Sequence, residues 1–364
     1  MAFGTLSIFD TIGGRRAAAN DYIGLYDPQT LYEQLQVYLQ THNTLWDELN
    51  SDLLEPTQER FLTWGSNDEV QMQEGDEFSR PDVQKVSVSP TMMGFPLRIK
   101  QAAYGVTQLF METKTIGDLE QVVTAVTDAD VRQRLADVRA ALFNPTNNLT
   151  YKDRFVDNIT LPLRALLNAD GAYIKPDAFG NTFNPSTHTH YSAVASAGNP
   201  AASELQALIT NVVEHYRNGS VRVYIDRGSE ATVRAFSGFN PYWDARITPS
   251  VNQNNALGVP LDVLDIYNRA IGIFGQAEVW IKPWVPAGYW FAFNTAAPKP
   301  LRIRTRPTAG TSRGILRIAA QNASYPLQAT YMEREYGIGV YERTNGACLD
   351  CNHTTYQAPS AWSL

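Results

Sequence analysis

The sequence predicts an α+β protein with its helices early and most of its strands late. Three observations predict it. Apolar residues recur at helical spacing around residues 31–49, 116–142 and 205–213. Beyond Asn218, short runs rich in Val, Ile, Tyr, Phe and Trp follow one another between Gly and Pro. The composition is that of a folded chain: 364 residues, 44% hydrophobic and 18% charged, with 24 Gly and 20 Pro, which excludes disordered, collagenous and disulfide-rich classes. The length suits roughly two or three domains, or one large body with extensions.

Taken in order, a polar lead-in precedes Leu31, Leu35, Val37, Tyr38, Leu45 and Leu49 at helix-like spacing, with Pro28 suited to the first turn and Asn43 or Thr44 offering a break. From Arg60 to Leu97 the texture turns to β. Alternating Val70/Met72 and Val86/Val88 flank a polar, acidic turn region, which reads as a long two-stranded hairpin. An isolated ribbon of two strands is marginal in water, so this one must lie on its own body or on a neighbouring chain.

Ile116, Leu119, Val122, Val123, Val126, Val131, Leu135, Val138 and Leu142 then share one stripe, and Thr115 stands where a cap belongs. Unbroken, this helix would run about 40 Å. Thr127, Asp128 and Asp130 could instead cap a second helix. Residues 145–200 are dense in turn signals and lack periodicity, as functional or interface loops do.

PAASELQALITNVVEHY restores helical spacing, with Ser203 as the expected cap and Leu205, Leu208, Ile209, Val212 and Val213 as the buried face. VRVYID, LDVLDIYNR, AEVWIKPWVPAGYWFAFN and PLRIRTRP read as strands, with SEATVRAFSGF a short helix after the first. GILRIAAQ and the long run YPLQATYMEREYGIGVYERTNGACLD close the chain as β. Within that run Gly337 and Gly339 predict a bulge or a close packing contact.

No phosphate-binding glycine loop, nucleophile elbow or H-E-x-x-H helix is present, so neither an enzyme nor a cofactor is expected. Two metal candidates are weaker. Cys348 and Cys351, the only cysteines, and His353 supply zinc-compatible ligand types. Structural zinc sites usually pair two such knuckles, however, and a redox C-x-x-C opens a helix after a strand, whereas this one ends a β run. NGACLD is expected to complete that run, with Ala347 and Leu349 on one face and Cys348 on the other, and Cys351 and His353 starting the tail. His188 and His190 form an H-x-H in a Ser/Thr-rich loop, with no third ligand placed by the sequence.

The net charge of −7 and pI near 5.3 exclude a general basic field for nucleic acid, so any DNA contact must be local. No signal-like start and no apolar run of the ~20 residues needed to span a membrane is seen, which reads as a soluble chain made in a reducing cytoplasm with no membrane partner. Charge is unevenly spread. Between Glu278 and Glu333 no acid occurs, while Lys282, Lys299, Arg302, Arg304, Arg306, Arg313 and Arg317 do. The hairpin tip carries Asp68, Glu69, Glu74, Asp76, Glu77 and Asp82 against Arg80. These are either two solvated faces or an acidic arm that reaches a basic surface on the next subunit.

The order of arm, long hairpin, long helix and mixed β region resembles the major capsid proteins of tailed bacteriophages, whose shared architecture is the Hong Kong 97-like fold. The resemblance is carried by TIGDLEQVVTAVTDADVRQRLADVRAALF, ELQALITNVVEHYRNGSVRVYIDRGSEATVRAFSGF, IKPWVPAGYWFAFN and YPLQATYMEREYGIGVYERTNGACL. It implies an N-arm over 1–54 and an extended E-loop hairpin over 55–99. A P-domain over 100–220 would contain the spine helix 115–143, followed by a mostly A-domain stretch over 221–305, P-domain return strands over 306–350 and a C-terminal tail over 351–364.

The function implied is geometric: assembly through hexamers and pentamers into an icosahedral shell around double-stranded DNA, in a virion built in the host cytoplasm. N-arm and E-loop would shift as the precursor shell expands. The partners implied are further copies of the chain, a portal, DNA on the inner face, a decoration protein, and a separate scaffolding protein, since the hairpin starts too early to leave room for a cleaved one. Lys85 would be the hairpin lysine for the crosslinks that some relatives form. A closed shell needs contacts that repeat around a ring, and 18 Tyr, 15 Phe and 7 Trp suit such interfaces. Two alternatives remain: an encapsulin-like nanocompartment, a shell of the same fold with a helix in place of the N-arm, and a zinc or redox enzyme built on Cys348, Cys351 and His353.

Overall fold

A computed structural model of the chain describes residues 20–50, 52–64, 72–74, 80, 82, 91–154, 156–177, 180–216, 219–242, 268–306, 314–324 and 327–360. The first helix, Pro28–Asn50 (α1), is a single piece. Asn43 does not break it, because its buried amide is used sideways. It accepts from the Leu316 N–H at 2.9 Å and donates to the Leu316 carbonyl at 3.0 Å, as a strand neighbour would. Leu31, Leu35 and Leu39 form the buried stripe, whereas Val37 faces outward, 59% exposed.

Leu54–Thr57 (β1) leads into Phe61–Trp64 (β2), which pairs antiparallel with Thr91–Gly94 (β3). This is the stem of the expected hairpin; most of its distal part, with Val70, Val86 and Val88, lies outside the described residues. Arg98–Thr107 (β4) then runs into the short helix Gln108–Thr113 (α2), capped by the Thr107 hydroxyl.

Ile116–Phe143 (α3) is one uninterrupted helix of 28 residues. Thr115 and Asp118 close a capping box at its start, the Thr115 hydroxyl accepting from the Asp118 N–H and the Asp118 carboxylate from the Thr115 N–H. Thr127 and Asp130 do not start a second helix. Thr127 bonds back to the carbonyls of Val123 and Thr124, and Asp130 is held by Arg334 at 2.8 Å and His42 at 3.2 Å. α1 lies parallel to the first half of α3, as the pairings of Tyr22 with Thr115, Tyr38 with Thr127 and His42 with Asp130 require.

Leu149–Lys152 (β5) and Thr160–Leu163 (β6) form a small hairpin, and Tyr191–Ala193 (β7) ends the long loop region. Ala202–Val213 (α4) starts two residues earlier than a Ser203 cap implies, with Ala201 at the cap position. Glu204 supplies the cap instead, accepting from the N–H groups of Ala201 and Ala195 at 2.7 and 2.6 Å. Val221–Ile225 (β8), Glu230–Arg234 (α5), Phe239–Pro241 (β9), Arg269–Phe274 (β10), Ala277–Ile281 (β11) and Tyr289–Asn294 (β12) follow; nearly all of the expected LDVLDIYNR strand lies outside the described residues. Leu301–Arg304 (β13), Arg317–Ser324 (β14), Leu327–Val340 (β15) and Ala347–Asp350 (β16) complete the order, so the closing β run is two strands divided by a turn.

Apart from the β2–β3 and β5–β6 hairpins, two sheets share these strands. In the first, β15 is the hub: β4 pairs with Leu327–Tyr336, β13 with Gly337–Val340, β14 lies along β15 through Glu333, and β1 adds to β13 in parallel. α1 and α3 cover it through Ile116, Leu119, Val123, Leu316 and Met332. The second has the order β7-β16-β12-β8-β11-β10-β9. One face packs on α4 through Leu205, Leu208, Ile209 and Val212; the other packs Tyr224, Phe291, Phe293 and Cys348 on Val138, Leu142 and Phe143 of α3. Both faces are therefore dry, which is why β12 reads as an unbroken apolar run rather than an alternating one.

The chain changes sheets after Asn294 and again after Val340. Consequently β13, numbered with the 221–305 stretch, belongs to the sheet of β15, while β16, numbered with the return strands, lies in the second sheet between β7 and β12.

Candidate functional site

Cys348 occupies the place in β16 that alternation implies. Ala347 and Leu349 face α4, and Cys348 faces α3. Cys351, beyond the strand, is buried with the α4 side rather than lying in an exposed tail. The two sulfurs thus sit in different cores, and burial pushes both thiols well above the usual range. His353 turns instead to Asp350, 2.9 Å away. Among the described residues no grouping of metal-capable side chains includes any of the three. The C-x-x-C spacing is a consequence of the strand end.

The other histidine pair behaves differently. His188 and His190 flank the entry to β7, and the end of α4 delivers His215 and Glu214 beside them. The three Nε2 atoms lie 3.0 to 3.1 Å from one another. The H-x-H alone offers two ligands, because the third lies 25 residues beyond His190; its sequence signal is the E-H pair one helix length after the H-x-H. Burial lowers the pKa of all three imidazoles, that of His215 to about 3, and raises that of Glu214.

The basic stretch is largely spoken for within the chain. Arg302 meets Glu55 at 3.0 Å, Arg306 meets Glu335 at 2.6 Å, and Arg317 pairs with Glu333. Arg304 is buried and donates both Nη atoms to Asp153 at 3.0 Å and Nη1 to the Phe95 carbonyl, so it belongs to the interior and not to a surface that another subunit could touch. Glu74 and Asp82 are exposed; Asp68, Glu69, Asp76, Glu77, Lys85 and Arg313 lie outside the described residues.

The hairpin stem has two unlike faces. Leu62, Trp64 and Met93 turn to the body, where the Trp64 indole N–H donates to Glu342 at 2.9 Å. Phe61, Thr63 and Met92 turn out, with Phe61 45% and Met92 43% exposed. Val156 and Ile159 are also open, on the loop that Asp157 ties to Arg60 beside Phe61. The stem therefore lies on its own body by one face and leaves apolar surface on the other.

No family model matches the chain, and no curated protein matches it. Solved structures do. A structure from Mycobacterium phage Patience superposes with a TM-score of 0.67 at 22% identity, over 93% of this chain and 92% of that one. The capsid of a native GTA particle superposes with a TM-score of 0.50 at 14% identity, over 84% of this chain and 90% of that one. An encapsulin complex from Synechococcus elongatus PCC 7942 is more distant, with a TM-score of 0.43 at 13% identity. The fold of the chain is the Hong Kong 97-like capsid fold.

Proposed function

We propose that this protein is the major capsid protein of a tailed bacteriophage, assembling through hexamers and pentamers into a shell around double-stranded DNA. The observation that carries the reading is a likeness that covers 93% of this chain and 92% of the Mycobacterium phage Patience structure, rather than one common domain. It agrees with a hairpin stem whose outward face keeps Phe61 and Met92 open. Large apolar groups clustered on a monomer's surface mark places where a partner lies. No helix among the described residues is long and apolar enough to cross a membrane.

Expression alone and with a candidate scaffolding protein, followed by sedimentation and negative-stain microscopy, tests it. Closed particles are expected. Monomers under every condition would overturn the reading.

One observation favours an encapsulin-like shell as the second reading. The segment assigned to the N-arm contains α1, the helix that its apolar spacing predicts, seated on the spine helix, and a helix in that place is what the resemblance assigns to nanocompartments. Particle contents separate the two: nuclease-protected DNA supports the capsid, and co-purifying protein cargo without DNA supports the nanocompartment.

A further inference from the structure

We infer that His188, His190, His215 and Glu214 form a closed zinc site that fastens the end of α4 to the loop before β7. The inference does not depend on the capsid reading. It starts from the rings. Their centroids are each 5.1 Å from the other two, so the three imidazoles stand around one point, and their Nε2 atoms face it. Protons alone cannot satisfy this triangle. His190 donates from Nδ1 to the Gly346 carbonyl at 2.6 Å, which leaves Nε2 of the neutral ring a bare acceptor. If His188 and His215 both donate to it, their own N–H groups collide; if either does not, two lone pairs face each other.

A cation resolves the conflict. Zinc binds imidazole nitrogen at about 2.0–2.1 Å in a tetrahedron, whose N···N edges are then about 3.3 Å. The observed edges of 3.0 to 3.1 Å are close to that value. An ion at zinc–nitrogen distance from all three would sit about 1 Å off their plane.

The fourth position is supplied independently. Glu214 Oε1 is buried without a hydrogen-bond partner, 3.4 Å from Nε2 of His188 and 3.9 Å from that of His215. A carboxylate at the C-terminal cap of a helix faces the negative end of the helix dipole. Set there without a hydrogen-bond partner, the oxygen is placed to serve as the fourth ligand.

Three nitrogens and one carboxylate oxygen suit zinc and are poor for calcium or magnesium, which take all-oxygen shells. With the fourth place filled by protein the site is structural rather than catalytic. The Nδ1–H of His190 on Gly346 is the outer hydrogen bond that fixes a metal-binding tautomer. Through it the ion would also hold the turn between β15 and β16, so that three chain segments far apart in sequence are joined at one point.

The test uses the full chain, stripped with chelator and titrated with zinc chloride. One equivalent of bound zinc is expected by elemental analysis. Melting should rise by about 3 °C at a hundredfold excess over Kd. Cobalt in place of zinc should give the intense visible bands of tetrahedral coordination. His188→Gln and Glu214→Gln, both at half-buried positions, should lower affinity at least tenfold. Binding below roughly 0.1 equivalent, cobalt spectra of six-coordinate type, or zinc uptake unchanged when the two substitutions are combined would each overturn the proposal. Because the titration is made on the unsubstituted chain, a variant that fails to fold does not shelter it.

Discussion

Arg304 shows how a residue that looks like surface charge can belong to the interior. It is 4% exposed, and Asp153, its partner, is fully buried and also meets Arg60 at 3.2 Å. Removing one member of a buried pair leaves the other charge without compensation, at a cost of about 3–5 kcal/mol. Asp153→Ala should therefore lower the unfolding free energy measured in urea by that much, whereas Glu55→Ala, which frees the part-exposed Arg302, should cost less than about 1 kcal/mol. Equal losses would contradict the assignment of Arg304 to the core. The cysteines give a second expectation. Burial raises both thiols, so the reactive thiolate is scarcer than in free cysteine. Ellman's reagent at pH 8 should find no fast-reacting thiol in the native protein and two after unfolding; a fast native reaction would place Cys351 in an open tail after all. The alternation across Ala347, Cys348 and Leu349 was legible because period 2 is a local property of a strand. The burial of Arg304 and the gathering of His188, His190 and His215 were not, since both depend on which distant segments the sheets bring together.

At the scale of elements, the long helix and its start were readable because a cap and an apolar stripe are written within a few residues. Whether the helix continued through Thr127 was not, since Arg334, more than 200 residues later, decides what Asp130 does. The capping box carries a pH signature. Hydrogen bonds from Thr115 hold the Asp118 carboxyl below its ordinary value. A group depressed in the folded state adds stability above its unfolded pKa and loses it as pH falls through the folded one. Asp118→Asn should therefore melt lower than the unsubstituted chain at pH 6, with the gap closing towards pH 3; a gap constant with pH would mean that the carboxylate charge plays no part. The two glycines of β15 test a different contact. The strand passes so close to residues 94–97 that a Cβ at Gly337 would run into the Pro96 carbonyl, and one at Gly339 would stand 2.9 Å from the Phe95 ring and 3.1 Å from the Gly94 carbonyl. Backbone cannot step aside as a side chain can. Gly337→Ala should cost about 3 kcal/mol or more in urea unfolding, and a neutral substitution would show that the strand and the 94–97 segment are further apart than this.

For the whole molecule, the proposed shell role would make the hairpin stem join the stability of one subunit to the assembly of many. Its inner face is anchored by Trp64 and Met93 in the core that contains α3, so the stem holds its place on the body before any neighbour arrives. Its outer face offers Phe61 and Met92. Covering the open part of one such side chain is worth roughly 1–2 kcal/mol at about 25 cal/mol per Å², and the proposed shell would repeat the gain at every copy. Phe61→Thr keeps a β-favouring residue on a face that is exposed in the single chain, so its effect on subunit melting should stay within about 0.5 kcal/mol. Assembly should respond much more strongly, with the protein concentration at which particles first sediment rising about tenfold, the factor that 1.4 kcal/mol gives. Inner-face Met93→Thr should do the reverse, lowering the melting temperature before assembly is reached, since Met93 is fully buried. If Phe61→Thr assembles at the concentration of the unsubstituted chain while melting normally, the outer face of the stem is not a subunit contact and the shell must be joined elsewhere.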